Sequence, residues 1–215
     1  MPRPASKKDF DVLEERGYWK ASSFLSKAVD KMIRKNLPVE LGYIKQAHRI
    51  IFETARQEGM AGKFRRDNPE LKRIDGSALK IAHWHKIPNA MAELDMEVRE
   101  ATKNLRLPRN EKQYRKIIEK ASRLSHRLAY IHPFENGNGR TSRLLLNMVL
   151  MRAGLTEVAI KEEKEKYLRS MRQADDGDFM PLKEMILKSL RENKIKLIKL
   201  AKRKQAEFIK QKKRK

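Results

Sequence analysis

The chain has 215 residues, 40% of them hydrophobic and 37% charged, a composition that excludes a wholly disordered polypeptide and predicts one domain with a small appendage. It contains no cysteine, which excludes disulfides and thiolate chemistry, and no apolar run of about 18 residues, which excludes a membrane-spanning helix. The net charge of +23, from 51 Lys+Arg against 28 Asp+Glu, favours encounters with nucleic acid, nucleotides, acidic proteins or anionic lipid. The opening segment runs from two prolines and two lysines into Asp9 and Asp11 without an apolar core. No secretory leader is therefore expected, and the predicted localisation is cytoplasmic.

Hydrophobic periodicity reads as mainly helical. Ser22 and Ser23 are expected to cap a helix carrying Phe24, Leu25, Ala28, Val29, Met32 and Ile33. Pro38 suits the first turn of a second helix, whose stripe is Leu41, Ile44, His48, Ile51, Phe52 and Ala55, closed by Gly59 and Gly62. Asp75-Gly76, between residues 70–74 and 77–81, predicts a hairpin with a type I′ turn. Pro88 opens a helix through Met91, Leu94, Val98 and Ala101. After the break at Leu107-Pro108, Asn110 is placed to cap a helix reaching about Ile131, with the stripe Tyr114, Ile117, Ile118, Ala121, Leu124, Leu128 and Ile131. A short loop leads to a helix through Leu144, Leu145, Met148, Val149 and Met151 that ends at Gly154, and helices over 161–173 and from Pro181 onward complete the chain. The domain reading is an N-terminal helical segment over 1–37, a central domain over 38–190 and a basic helical tail over 191–215. That tail holds 12 Lys+Arg against two Glu.

The segment from Ile131 to Arg143 carries the chemistry. His132 ends one apolar helix, a turn of Asn136, Gly137, Asn138 and Gly139 follows, and a second helix begins at once with Arg140 and Arg143 on one face. Small residues let backbone N–H groups approach an anion, and a helix N-terminus adds partial positive charge. Arginines there oppose the macrodipole, a cost that a bound polyphosphate would offset through forked contacts. A histidine beside such a site is suited to act as a general base near neutral pH.

His132-Pro133-Phe134-Glu135-Asn136-Gly137-Asn138-Gly139-Arg140 resembles the Fic family signature H-P-F-x-[D/E]-G-N-G-R, and Arg143 matches the second arginine common after it. Ala61-Gly62-Lys63-Phe64-Arg65 resembles the short G-x-x-R segment before the family's flap, and Tyr167 with residues 174–178 resembles its adenosine-pocket region. The resemblance implies a Fic-type helical bundle with one small β-hairpin flap. It also implies protein adenylyltransferase activity, the transfer of AMP from ATP to a Ser, Thr or Tyr hydroxyl of a protein, with pyrophosphate released. By position, His132 would be the base, and Gly137, Asn138, Gly139, Arg140, Arg143, Tyr167 and Asp175 would bind the nucleotide. Phe134 would anchor the core, and Leu71, Ile74, Leu79 and Ile81 of the flap would dock the target backbone.

Where the family has Asp or Glu for magnesium, this chain has Asn136. The resemblance still implies Mg²⁺ with Asn136 as its ligand, although an amide oxygen lacks the charge that hard cations prefer. A separate antitoxin or inhibitory protein is a further partner it implies. Many members carry an inhibitory [S/T]-x-x-x-E-[G/N] helix; residues 54–59 match that string but fall inside a core helix, so no self-inhibitory glutamate is assigned. His48 reads as a satisfied core histidine, His83 and His85 as part of a packed segment without ligand spacing, His126 as helix surface or a residue behind the site, and the run 161–166 as a solvated helix face. The basic tail suggests contact with nucleic acid or an anionic surface. A non-catalytic Fic-like fold binding nucleic acid or an acidic partner is the alternative function.

Overall fold

The computed structural model describes residues 7–73, 75–160 and 164–212. Among them the helices are α1 (Lys7–Lys35), α2 (Gly42–Thr54), α3 (Ile87–Thr102), α4 (Glu111–Ile131), α5 (Asn138–Arg152), α6 (Lys164–Asp175) and α7 (Met180–Lys212). No described residue lies in a helix long and apolar enough to cross a membrane. The described chain divides into two compact units, residues 1–155 and 156–215.

In the first unit α1 packs on α2 and α5, α4 packs on α5, and α3 packs on α4. The α1 helix is longer than its sequence suggests. Ser22 and Ser23 sit within it and cap nothing, because the apolar face that α1 buries continues through them as Ala21, Leu25, Ala28, Val29 and Met32. Gly17 sets the approach of α1 to α2: a Cβ there would lie 2.6 Å from the Ile51 carbonyl oxygen. The second helix starts at Gly42, four residues after Pro38. Its entry is held from α3, where Asp95 Oδ1 accepts from Leu41 N (2.6 Å) and Thr102 Oγ1 accepts from Val39 N (2.8 Å). It ends at Thr54, before either glycine expected to close it, with Arg56 in the left-handed region. Asn110 caps α4 as expected, its Oδ1 accepting from Gln113 N at 3.0 Å. Small polar side chains let α4 and α5 approach closely, with Ser125 Oγ donating to the Ser142 carbonyl at 2.8 Å.

Arg152, at the end of α5 and 4% exposed, fastens three loose ends. Its guanidinium donates to the carbonyls of Leu37 (2.7 Å) and Leu105 (2.9 Å) and to Asn36 Oδ1 (3.3 Å). The chain just beyond α1 and the chain just beyond α3 are thereby held by one planar fork.

The segment between α2 and α3 holds the expected hairpin in reduced form. Its only bridge among the described residues joins Lys72 and Ala78, supported by Arg73 N to Ser77 O and Leu79 N to Leu71 O, both 2.8 Å. The turn is not type I′. Gly76 N donates back to Arg73 O (3.0 Å) and Gly76 has φ +81°, which makes a three-residue loop with glycine at its left-handed position. Asp75 Oδ1 accepts from Ser77 N (3.0 Å) and Ser77 Oγ (2.6 Å), so the aspartate stabilises the turn from the i+2 side. Leu71, Leu79 and Ile81 are half-buried; Ile74 lies outside the described residues.

In the second unit α6 packs against α7, burying Ala174, Leu182, Met185, Ile186 and Leu190. Asn193 Nδ2 reaches back to the Glu157 carbonyl at 2.7 Å. Beyond it α7 leaves Ile195, Leu197, Ile198 and Leu200 about half exposed, at 46–53%. Residues 161–163 of the charged run and residues 213–215 of the tail lie outside the described residues.

The core of the first unit closes on His48, which is fully buried. Its Nδ1 accepts from Gly62 N (2.9 Å), and its Nε2 lies 3.1 Å from the Asn136 carbonyl oxygen. A carbonyl only accepts, so Nε2 carries the proton and the ring is neutral. The ring stacks on Phe134 with centroids 3.8 Å apart and planes 13° apart. Burial, aided by the positive charge of Arg140, pushes the His48 pKa down to about 4 against the Asn136 hydrogen bond. A second proton would place a donor against the Gly62 N–H. Because the folded value lies below the unfolded one, the unfolded state alone binds a proton between about pH 6.5 and about pH 4, and stability must fall as pH falls through that window. The loss corresponds to about 3 kcal/mol. His48→Gln is therefore expected to be less stable than the parent at pH 7 and to lose less on acidification. Urea unfolding of both proteins at pH 7 and pH 4.5 checks this; equal acid losses would mean that His48 is not the titrating group.

Candidate active site

The loop from α4 to α5 is built from two left-handed residues. His132, the C-cap of α4, has φ 51° and ψ 57°, an uncommon conformation for a side-chain-bearing residue that marks strain held by its surroundings. Arg65 supplies the hold: its Nε donates to the His132 carbonyl (2.7 Å) and its backbone N to the Pro133 carbonyl (2.9 Å). Gly137 has φ +79°, and a Cβ there would lie 2.7 Å from Phe52 Cε2, so glycine is required both by torsion and by space. Between them Asn138 brackets the turn, with Oδ1 accepting from Phe134 N (3.0 Å) and Nδ2 donating to Phe134 O (2.7 Å). Phe134 is fully buried, as its expected role as an anchor requires.

His132 presents its ring from the end of α4. Its Nδ1 lies 3.3 Å from the Ala129 carbonyl oxygen; the carbonyl accepts, so Nδ1 carries the proton and Nε2 keeps a lone pair. Burial, with the Arg65 charge adding to it, lowers the His132 pKa despite the Ala129 hydrogen bond. Burial thereby favours the neutral ring, the form competent to take a proton.

The α5 helix begins at Asn138, so the first N–H groups of its opening turn, those of Asn138, Gly139 and Arg140, have no preceding helical carbonyl to bond. Arg140 stands in the first turn and Arg143 in the second. Arg140 Cζ lies 5.2 Å over the Phe52 ring, and the Arg143 guanidinium lies near Gly139, where a Cβ would come within 3.4 Å of its Nη1. Asn138, expected to line the phosphate cradle, commits its amide to Phe134, so only its backbone remains for an anion.

Arg140 is already engaged. It forms an ion pair with Glu14 of α1, the two side chains being 21% and 13% exposed, and its Nη2 lies 3.4 Å from Asn136 Oδ1. Glu14 Oε1 also accepts from Gln57 Nε2 (3.4 Å). Sequence reading assigned no glutamate to the arginines, and no local signal could have found this one, since 126 residues separate the partners. The string at 54–59 is elsewhere: Glu58 lines a cleft of about 520 Å³ beside α2, with Lys45, Arg49, Gly62 and Lys63. None of the residues from His132 to Arg143 lines that cleft.

Asn136 Oδ1 accepts from Gly137 N at 2.7 Å in addition to its place near Arg140. No group of three His, Cys, Asp or Glu side chains among the described residues is placed to hold a metal ion. His83 and His85 are stacked, with ring centroids 5.2 Å apart, in the short turn Trp84–Lys86. His126, read as helix surface or as a residue behind the site, is buried at 9% exposure, on the side of α4 that carries Ser122 and Ser125. Tyr167 and Asp175 lie on α6, in the second unit.

Comparison with known proteins bears on this arrangement. A protein adenylyltransferase Fic of Nematostella vectensis is 48% identical over 65 residues, which are 30% of this chain and 15% of that protein. The chain thus spans only a small part of the length of the curated relatives it matches. Among solved structures, Fic-1 from C. elegans shares the fold at a TM-score of 0.71 and 23% identity, covering 95% of this chain and 56% of the other. A Fic domain containing signaling protein from Bacteroides thetaiotaomicron gives a TM-score of 0.70 at 25% identity, covering 88% and 71%. Residues 38–150 match the Fic/DOC family; with more than half of its length so matched, on a mainly helical fold shared with those structures, the chain belongs to that family.

Proposed function

We propose that the chain is a protein adenylyltransferase that moves AMP from ATP onto a hydroxyl side chain of a protein. The observation that carries the reading is the neutral His132 ring, its Nδ1 proton turned to Ala129, on the loop that opens directly into the arginine-bearing first turn of α5. The backbone N–H groups of that turn, with Arg140 and Arg143, hold the triphosphate. His132 Nε2 takes the proton of the target hydroxyl as its oxygen attacks the α-phosphorus. The bond from that phosphorus to the bridging oxygen breaks, and pyrophosphate leaves. Catalysis in such a site is positioning and charge stabilisation more than covalent chemistry. The flap at 70–81 lays the target backbone alongside through Leu71, Leu79 and Ile81.

The residues present do not fit a magnesium site of the chain's own. Asn136 offers one uncharged oxygen, already shared by Gly137 N and neighboured by the Arg140 guanidinium, whereas Mg²⁺ prefers anionic oxygens. No step is therefore assigned to the ion; any that accompanies ATP is held by the phosphates.

Incubation with radiolabelled ATP and casein, an unfolded acceptor rich in hydroxyls, tests the reading: label should transfer from the α-phosphate and not from the γ-phosphate. His132→Ala should lower transfer by about 10²–10⁴-fold while ATP binding, measured by calorimetry, survives; near-parental turnover in that variant would falsify the base assignment. Glu14→Gln should tighten ATP binding about tenfold, because the nucleotide no longer competes with a charged hydrogen-bond partner for Arg140. An unchanged Kd would mean that the ion pair does not stand in the way of phosphate. Asn136→Asp should lower the magnesium concentration that supports half-maximal transfer, read from a metal titration at fixed ATP.

A further inference from the structure

Arg65 is 1% exposed, yet the reaction assigned above gives it nothing to do. Its guanidinium is spent entirely on four points of the chain. Nε donates to the His132 carbonyl at 2.7 Å. Nη1 donates to the Asp67 carbonyl and lies 3.4 Å from Asn68 Oδ1. Nη2 donates to the Ala82 carbonyl. Asn68 Oδ1 in turn accepts from Trp84 N at 2.9 Å. Asp67 and Asn68 stand at the entrance of the flap and Ala82 at its exit, so one planar fork gathers both feet of the ribbon onto the backbone of the histidine.

The flap cannot set its own position. Among the described residues its two arms meet at one bridge, between Lys72 and Ala78, and an isolated two-stranded ribbon is at best marginally stable in water. Whatever fixes its height relative to the imidazole must act at its base. A lysine would not do this, since its three donors radiate from one atom and cannot reach carbonyls on three sides.

We propose that Arg65 is a positioning residue that clamps both feet of the flap to the His132 backbone, so that a target strand lying along the flap presents its hydroxyl at the imidazole. The proposal rests on the adenylyl-transfer reading for the role of the flap, but the clamp itself is a property of the fold and can be measured without catalysis. Its consequence for specificity is that target binding and base geometry share one support, while the phosphate cradle on α5 does not.

The full-length parent, Arg65→Lys, and the milder Asn68→Ala, which removes one acceptor of the fork and leaves the arginine in place, are compared by amide hydrogen exchange and by steady-state transfer to casein. In both variants the amides of Arg73 and Leu79 should exchange about tenfold faster or more, as expected for losing a charge-assisted hydrogen bond, while those of Ile117 and Ile118 in α4 stay as in the parent. The KM for casein should rise with little change in the ATP dissociation constant. Flap exchange equal to the parent's overturns the clamp whatever the activity does. Faster exchange in α4 as well, or ATP affinity lost in parallel, also overturns it, because both describe general loosening. If Arg65→Lys does not fold, Asn68→Ala decides by the same readings. If the parent transfers no label at all, the adenylyl-transfer reading fails, and the exchange data alone still decide the clamp.

Discussion

A neutral imidazole, sealed from water, holds the site in place. His48 accepts from Gly62 with one nitrogen and donates to the Asn136 carbonyl with the other, so α2, the stretch before the flap and the α4–α5 loop meet on one ring. Each nitrogen has one role available in this tautomer, and the ring satisfies two buried backbone groups that would otherwise be costly. Phe134 stacked on its face and Phe52 beside it then fix where Gly137 passes. Phe52 leaves no room for a side chain at that glycine.

Around that ring the loop accepts conformations that an isolated peptide would avoid. His132 and Gly137 both have positive φ, and together they turn the chain from the end of one helix into the start of the next within a few residues. Arg65 and Asn138 hold it through backbone groups only, so the histidine ring takes no part in holding the turn. Strain at a site is maintained by surroundings of this kind.

Charge is managed locally within a strongly basic chain. Arg140 stands in the first turn of α5 against the helix dipole, and Arg143 follows one turn on. In the structure Glu14 of α1 meets one of them from within a part-buried pocket beside Phe52. The N-terminal helix thereby supplies the acidic partner of an arginine near the start of α5, and the pairing compensates the cost of burying that arginine.

Local patterns in the sequence located most of the helices. The apolar stripe of α4, the Asn110 cap and the stop at Gly154 all depend on neighbours within a turn or two, and the structure follows them. The motif from His132 to Arg143 was legible for the same reason: small residues, a helix start and two arginines lie within one short stretch. Tertiary structure decided what depends on distant partners. Ser22 and Ser23 looked like caps until the face of α1 was seen to be buried through them. The hairpin turn took glycine at a different position from the one its Asp-Gly pair suggested, because pairing of the arms sets loop length. The partner of Arg140 lies 126 residues away, and the four acceptors around Arg65 come from both ends of the flap and from the motif loop. Periodicity and capping report contacts along the chain; which buried charge meets which acceptor is set only when the helices have packed.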